Sequence, residues 1–432
     1  MPFLTDLDSR AEIKGSRDPL GLVPVWSRFG RKVVGNLSTV SNSVRGFTTL
    51  LLGYYFAEEA REAAHDQKAT LDTFLKFEQL ASYSRLHCLE DRGFRGVERV
   101  AKRLSESRKV TLGTDTNSQI LSNQKIYGIW GLFSVPARAS GILQTNSPTL
   151  SPHARAFVEK TYIAPLKRNG GKVTRQIADM LRRTKADLFV GGRDAALVKA
   201  IAELHTPALT AAEVNFYHHH LVNGGDTDST DGCQPELARL LRTCPSDTAF
   251  GVAELRAVIK AAGKAGGNHA LADRLEQIRI LESLLIPMTM AFSFMLSRNR
   301  QTLQTIAGEI RGVWGKQLAH VDPTSVEALR PSLLAAFQQN DGAADRFIFI
   351  AKALAGGEYT TVLEHLLAHN LHVMQERNGS QPWAHLTNGK LDVRYHDETT
   401  RILSGDELPE LWRNTYFINS LHQVVVSVGA AA

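Results

Sequence analysis

The chain has 432 residues, enough for one large domain or two to three ordinary ones with a proper core. Apolar residues make up 43% and charged residues 22%, which excludes a disordered or membranous chain, and three cysteines exclude a disulfide framework. A net charge of +6 tilts the surface mildly towards anionic partners.

Residues 1–32 carry Asp6, Asp8, Glu12 and Asp18 and no apolar stretch. A secretory leader is therefore not expected, and the expected location is the cytoplasm. Val44, Phe47, Leu51 and Tyr54 recur on one helical face behind the cap-competent Ser41, Asn42 and Ser43. Leu71, Phe74, Leu75 and Phe77 repeat the pattern behind Thr70. Further helices are expected over 92–108, 116–134, 152–165, 170–185, 193–204, 210–222, 235–243, 252–262, 269–298, 301–318, 324–338, 343–354 and 359–375. The apolar run Ser283–Ser297 is too short for a membrane span and reads as a core helix. Strand signals are few. Leu391–Tyr395 alternates after the Asn388-Gly389 turn, and Val424–Val428 is β-branched, so both read as short strands or extended tail. Residues 144–152 and 223–235 are turn-rich linkers. The fold class is mainly α with little β: two packed helical regions, 1–205 with basic faces and 206–432 with an extended aromatic tail. A winged-helix-like element is expected near 92–165, with 144–152 as its wing. Ser118, Gln119, Asn123, Gln124 and Lys125 would then reach base edges.

The phase of the basic residues carries the functional reading. Arg92, Arg95, Arg99, Lys102 and Arg103 would share one face of helix 92–108. Arg168, Lys172, Arg175, Arg182 and Arg183 form a second row, interrupted by Asp179. Rows of cations gain by releasing counterions from a phosphate backbone, and arginine adds bidentate geometry. A solvated outer face paired locally through Glu98, Glu106 and Asp179 is the alternative.

Metal and nucleotide chemistry find little support. His365, His369 and His372 share a helical face, but the order Glu364-His365 followed by His369 is not His-Glu-x-x-His. His218-His219-His220 precedes Asp226–Gly232, which has one residue too many for a calcium loop, with Leu237 where the closing Glu belongs. His65-Asp66, His396-Asp397 and the Asp6, Glu12, Lys14 trio lack the context of nuclease sites. Neither a P-loop, a G-x-G-x-x-G nor a G-x-S-x-G elbow occurs. No cofactor and no metal ligand set is expected, and the chain leans away from being an enzyme. Trp383, Trp412, Tyr416 and Phe417 are candidate partner-docking aromatics, with core packing as the alternative.

Asp18-Pro-Leu-Gly-Leu, Val25-Trp26, Gly35-Asn-Leu-Ser-Thr and Arg45-Gly-Phe resemble the opening of uncharacterised bacterial proteins of anti-phage defence gene clusters. The stretches Tyr127–Phe133, Pro382-Trp383 and Trp412–Phe417 are similar to their later parts. The likeness touches about a quarter of the chain and includes no catalytic motif. It implies a context of defence against foreign DNA in a multi-subunit complex. The expected function is a non-enzymatic subunit that grips nucleic acid, DNA foremost, and docks on other protein subunits, with no membrane involved. A metal-dependent nuclease or phosphohydrolase using the His365 face and a pure protein scaffold are the alternatives.

Overall fold

The computed structural model describes residues 18–64, 68–167, 171–245, 250–264, 267–338, 340–377, 381–394 and 402–429. It is mainly helical, with two small two-stranded sheets among the described residues. The chain groups into two units, each discontinuous in sequence: 1–32 with 250–416, and 33–249 with 417–432. This differs from the expected cut near residue 205.

The first unit is organised on the helix His269–Leu296. Its Leu, Ile, Met and Phe residues are buried around most of the circumference, as expected of a helix that is a core rather than a face. It is the one described helix long and apolar enough to cross a membrane, and 72% of its most apolar window is buried. Leu22–Arg31, Val252–Ala262, Pro323–Ala328 and Tyr359–Glu376 pack on it. Ala384–Thr387 and Lys390–Val393 form a hairpin turned by Asn388 and Gly389, both at positive φ; the sequence marks this turn and a strand or tail over 391–395, of which Tyr395 lies outside the described residues, but not the strand Ala384–Thr387.

Leu22–Arg31 sits tightly in this unit. Trp26 meets Tyr416 edge to face at 5.9 Å, and a Cβ on Gly30 would lie 2.7 Å from the Tyr416 carbonyl oxygen. Gly30→Ala gains up to about 1 kcal/mol of helix propensity. It also drives a methyl into backbone that cannot swing aside, at about 1–3 kcal/mol. The steric term wins, so we expect a lower urea midpoint for this variant; an unchanged or raised midpoint would contradict the packing.

The second unit centres on Val44–Ala64 and Lys68–Leu89. Tyr54 stacks on Trp130 at 5.0 Å and meets Phe74 at 5.1 Å, so part of the aromatic stretch 127–133 is core. The segment expected to be winged-helix-like is built otherwise. Gly128, with extended ψ, splits the expected helix 116–134 into Gln124–Tyr127 and Ile129–Ala139. A Cβ there would sit 2.8 Å from the Glu78 carboxylate, which accepts from the Ile129 amide at 2.8 Å. Residues 144–152 form no wing, only a loop closed by a single Leu143–Leu150 bridge. Gln124 is fully buried and bonded to Gln79 and Glu78, and Asn123 caps its helix, so neither presents a base-reading edge.

A second correction concerns the end of the chain. Ile418–Gly429 is a helix, not a strand or extended tail. Leu421, Val424, Val425 and Val428 lie at i, i+3, i+4, i+7, and burying that stripe outweighs the β preference of valine.

Candidate nucleic-acid interface

The two basic stretches meet at an antiparallel ribbon that the sequence reading did not anticipate. Lys109–Leu112 pairs with Ala186–Phe189, with Lys109 opposite Phe189 and Thr111 opposite Asp187. Val110, Leu112, Ala186 and Leu188 are buried on the inner face. The outer face therefore presents Lys109, Thr111, Asp187 and Phe189, as strand alternation requires.

Two adjoining grooves of about 640 Å³ each flank this ribbon and share Arg183, Asp187 and Arg193. The first is lined by Arg103, Lys109 and Lys185 from the ribbon and its approach. The second adds Lys172 and Arg175 from the helix Lys172–Arg182. Together they hold seven Lys or Arg and five Asp or Glu. The cations are held at defined places. Lys109 pairs with Asp187 at 2.9 Å and Lys185 with Asp115 at 3.2 Å. The Arg193 guanidinium lies 4.2 Å from the centre of the Phe189 ring. Hydrogen bonds from Ser118 and Lys185 bring the Asp115 carboxyl down to about 2, and bonds from Lys109 and Thr111 lower that of Asp187. Both carboxylates are solvent-facing, so these pairs hold little energy.

The predicted site residues separate into those that reach this ribbon and those that do not. Gly96, at φ 84°, starts the first basic helix at Val97, so Arg92 and Arg95 precede it rather than share its face. Arg99 donates to the Gln119 carbonyl at 3.1 Å. Arg103 donates to the Ser118 and Gln119 carbonyls at 2.8 and 2.9 Å and to the Tyr83 hydroxyl at 3.0 Å. These arginines tie down the loop 117–119 through its carbonyls. Lys102 remains exposed beside Glu106. Of the second row, Lys172, Arg175 and Arg183 line the grooves, and Arg182 pairs with Asp179 at 3.2 Å. Arg168 lies outside the described residues. Lys109, Lys185 and Arg193 were missed. Their local signal is the alternation of Val110 with Leu112 and of Ala186 with Leu188, but the pairing across 76 residues leaves no trace in either strand alone.

The remaining candidates are taken up elsewhere. His365 stacks on Phe349, buried His369 bonds the Leu20 carbonyl at 2.8 Å, and His372 pairs with Glu376 at 3.0 Å. The ring nitrogens of His369 and His372 thus serve different partners. Among the described residues no three or more His, Cys, Asp or Glu converge as a metal site. Asp228 folds the 226–232 loop on itself by accepting from Thr230 and Gly232. His65, Asp66, His396, Asp397, Asp6, Glu12 and Lys14 lie outside the described residues. Tyr416 and Phe417 are buried and correct the expectation that they offer a docking surface. Trp412 is half-buried between Phe250 and Tyr416, and Trp383 is half-buried with its amide on Asn370. Aromatic area of this kind is worth more in the core than in water, which is why the fold absorbs it.

Compared with protein-family models, curated proteins and solved structures, the chain matches none.

Proposed function

We propose that this protein is a non-enzymatic nucleic-acid-binding subunit that holds phosphate backbone along the grooves of the Lys109–Phe189 ribbon. One observation carries the reading: two basic stretches distant in sequence meet on one open, solvent-facing ribbon. Exposed ion pairs such as Lys109–Asp187 are screened by solvent and hold little energy, so phosphates can compete for their cations. Counterion release then adds affinity for every phosphate engaged. Phe189 and the planar Arg193 guanidinium beside it offer a stacking platform, which suits a single strand as well as a duplex. The resemblance to defence-cluster proteins supports DNA as the nucleic acid, other subunits as partners and a cytoplasmic setting.

The test is titration of fluorescent duplex DNA, single-stranded DNA and RNA across a salt series. Lys109→Glu combined with Lys185→Glu should weaken binding and flatten the slope of log affinity against log salt, by about one unit for each phosphate no longer engaged. Arg99 and Arg103 are left intact because they hold the loop 117–119. Undiminished affinity in the double variant would overturn the assignment.

A further inference from the structure

A separate cavity in the second unit has a different chemistry. It encloses about 270 Å³ between the start of helix Val44–Ala64 and residues 92–95, and Arg85, Arg92 and Arg95 all line it. No Asp or Glu is among its described lining residues. This sets it apart from the ribbon grooves, where acids and bases alternate. Asp91 and Glu98, which pair with two of the arginines, stay outside its lining.

Each arginine keeps donors to spare. Arg85, with a side chain only 5% exposed, commits Nε and one terminal nitrogen to Asp91 at 2.8 and 2.7 Å. Arg95 commits Nε to the Tyr127 carbonyl at 2.8 Å, and its charge also reaches the buried Glu78 carboxyl, which lies outside the lining. Arg92 meets Glu98 at 3.3 Å, but that pair is 60% and 86% exposed and holds little energy. A guanidinium carries five N–H groups, so three of them facing one space suit a dianion with three terminal oxygens. Ser43 and the positive end of a 21-residue helix lie on the same wall. Opposite in character, Phe94, Ile129 and Phe133 supply an apolar wall. The volume falls just under the ~300 Å³ at which ligand pockets begin, so it suits one nucleotide rather than a tract of polymer.

We propose that this cavity binds a nucleoside 5′-phosphate, with its phosphate on Arg85, Arg92 and Arg95 and its base against the Phe94, Ile129 and Phe133 wall. The phosphate belongs either to a free nucleotide or to the 5′ end of a strand. Neither source depends on the ribbon grooves.

Calorimetric titration of the full chain with AMP and with adenosine tests the idea. AMP should bind at least about tenfold more tightly than adenosine, because the charge-assisted bonds go to the phosphate. Arg92→Ala removes an exposed side chain and should fold; it should weaken AMP several-fold, and Arg92→Ala with Arg95→Ala should abolish binding. Equal affinity for adenosine and AMP, no binding of AMP at millimolar concentration, or an unaltered Arg92→Ala variant would each overturn the proposal. Single-stranded oligonucleotides with a 5′-phosphate or a 5′-hydroxyl then separate the sources. A preference for the phosphorylated end that AMP abolishes assigns the cavity to strand ends, and no preference with AMP still bound assigns it to a free nucleotide. The Lys109→Glu, Lys185→Glu variant should bind AMP as the native chain does. If its duplex affinity is also undiminished, the groove reading fails and the cavity stands.

Discussion

Acidification from pH 7 to 5 should remove about 2 kcal/mol of stability for each of three buried histidines. Burial brings the His205 imidazole down to about 3, helped by the nearby Arg85 charge. His220 and His369 fall to about 4, again mainly through burial, with the charge of Arg346 added at His369. Each ring is fixed as a neutral imidazole. His205 bonds the Ile201 carbonyl at 2.8 Å, His220 the Ser140 carbonyl at 2.7 Å, and His369 the Leu20 carbonyl at 2.8 Å. The folded values lie below the ordinary 6.5. Stability is therefore fully present above about pH 6.5 and is lost as pH falls through that value towards the folded ones. His369 belongs to the first unit and the other two to the second, so both should become acid-labile. Glu78 works in the opposite direction. Burial raises its carboxyl to about 7, so its protonation on acidification favours the folded second unit and offsets part of the loss there. Urea unfolding at pH 7 and pH 5 measures the effect. His369→Gln should start less stable at pH 7 but show a shallower pH dependence in the first unit. Equal midpoints of the native chain at the two pH values would refute the account.

Glu282→Ala should be the most destabilising single change in the first unit, at about 3–5 kcal/mol. The Glu282 carboxylate, 3% exposed on the central helix, accepts from the Arg413 and Asn414 amides at 2.8 and 3.0 Å. It also accepts from the Asn414 side chain at 2.9 Å and the Tyr416 hydroxyl at 2.7 Å. Truncation removes the acceptor shared by all four donors, the Tyr416 hydroxyl among them fully buried, and an unsatisfied buried donor costs about 1–3 kcal/mol. Partial relaxation keeps the total below the sum. Glu282→Gln retains one acceptor oxygen and should lose about half as much, while Tyr416→Phe removes a single bond and should cost about 1–2 kcal/mol. Denaturant titration ranks the three. A Glu282→Ala variant no weaker than Tyr416→Phe would show that the carboxylate is not the anchor of the 413–416 segment.

Much of the helical fold was legible because its signal is local. The helix expected over 252–262 forms as Val252–Ala262, and the apolar run from Ser283 lies in the buried helix His269–Leu296. The misreadings have non-local causes. The expected helix 116–134 breaks at Gly128, whose extended ψ frees the Ile129 amide to donate to Glu78 on another helix. Val424–Val428 is helical because its stripe faces a core assembled from distant segments. The candidate site was half visible. Charge phase singled out Lys172, Arg175 and Arg183, which the fold sets along one groove, and also Arg99 and Arg103, which bond carbonyls of their own chain. Period alone cannot say whether an arginine row faces water or a loop with unpaired oxygens.

The division of the chain bears on how it is made. The helix Leu22–Arg31 is synthesised before the helix it packs on, His269–Leu296, which follows some 240 residues later. The second unit in turn lacks its last helix until Ile418–Gly429 has been synthesised. At a few to some twenty residues per second, an amphipathic helix waits about ten seconds or more with its apolar side uncovered. Trp26 and Phe29 on that side are a natural handle for a holding chaperone. Yield in cells should therefore respond to translation speed and chaperone supply more than the final stability would suggest.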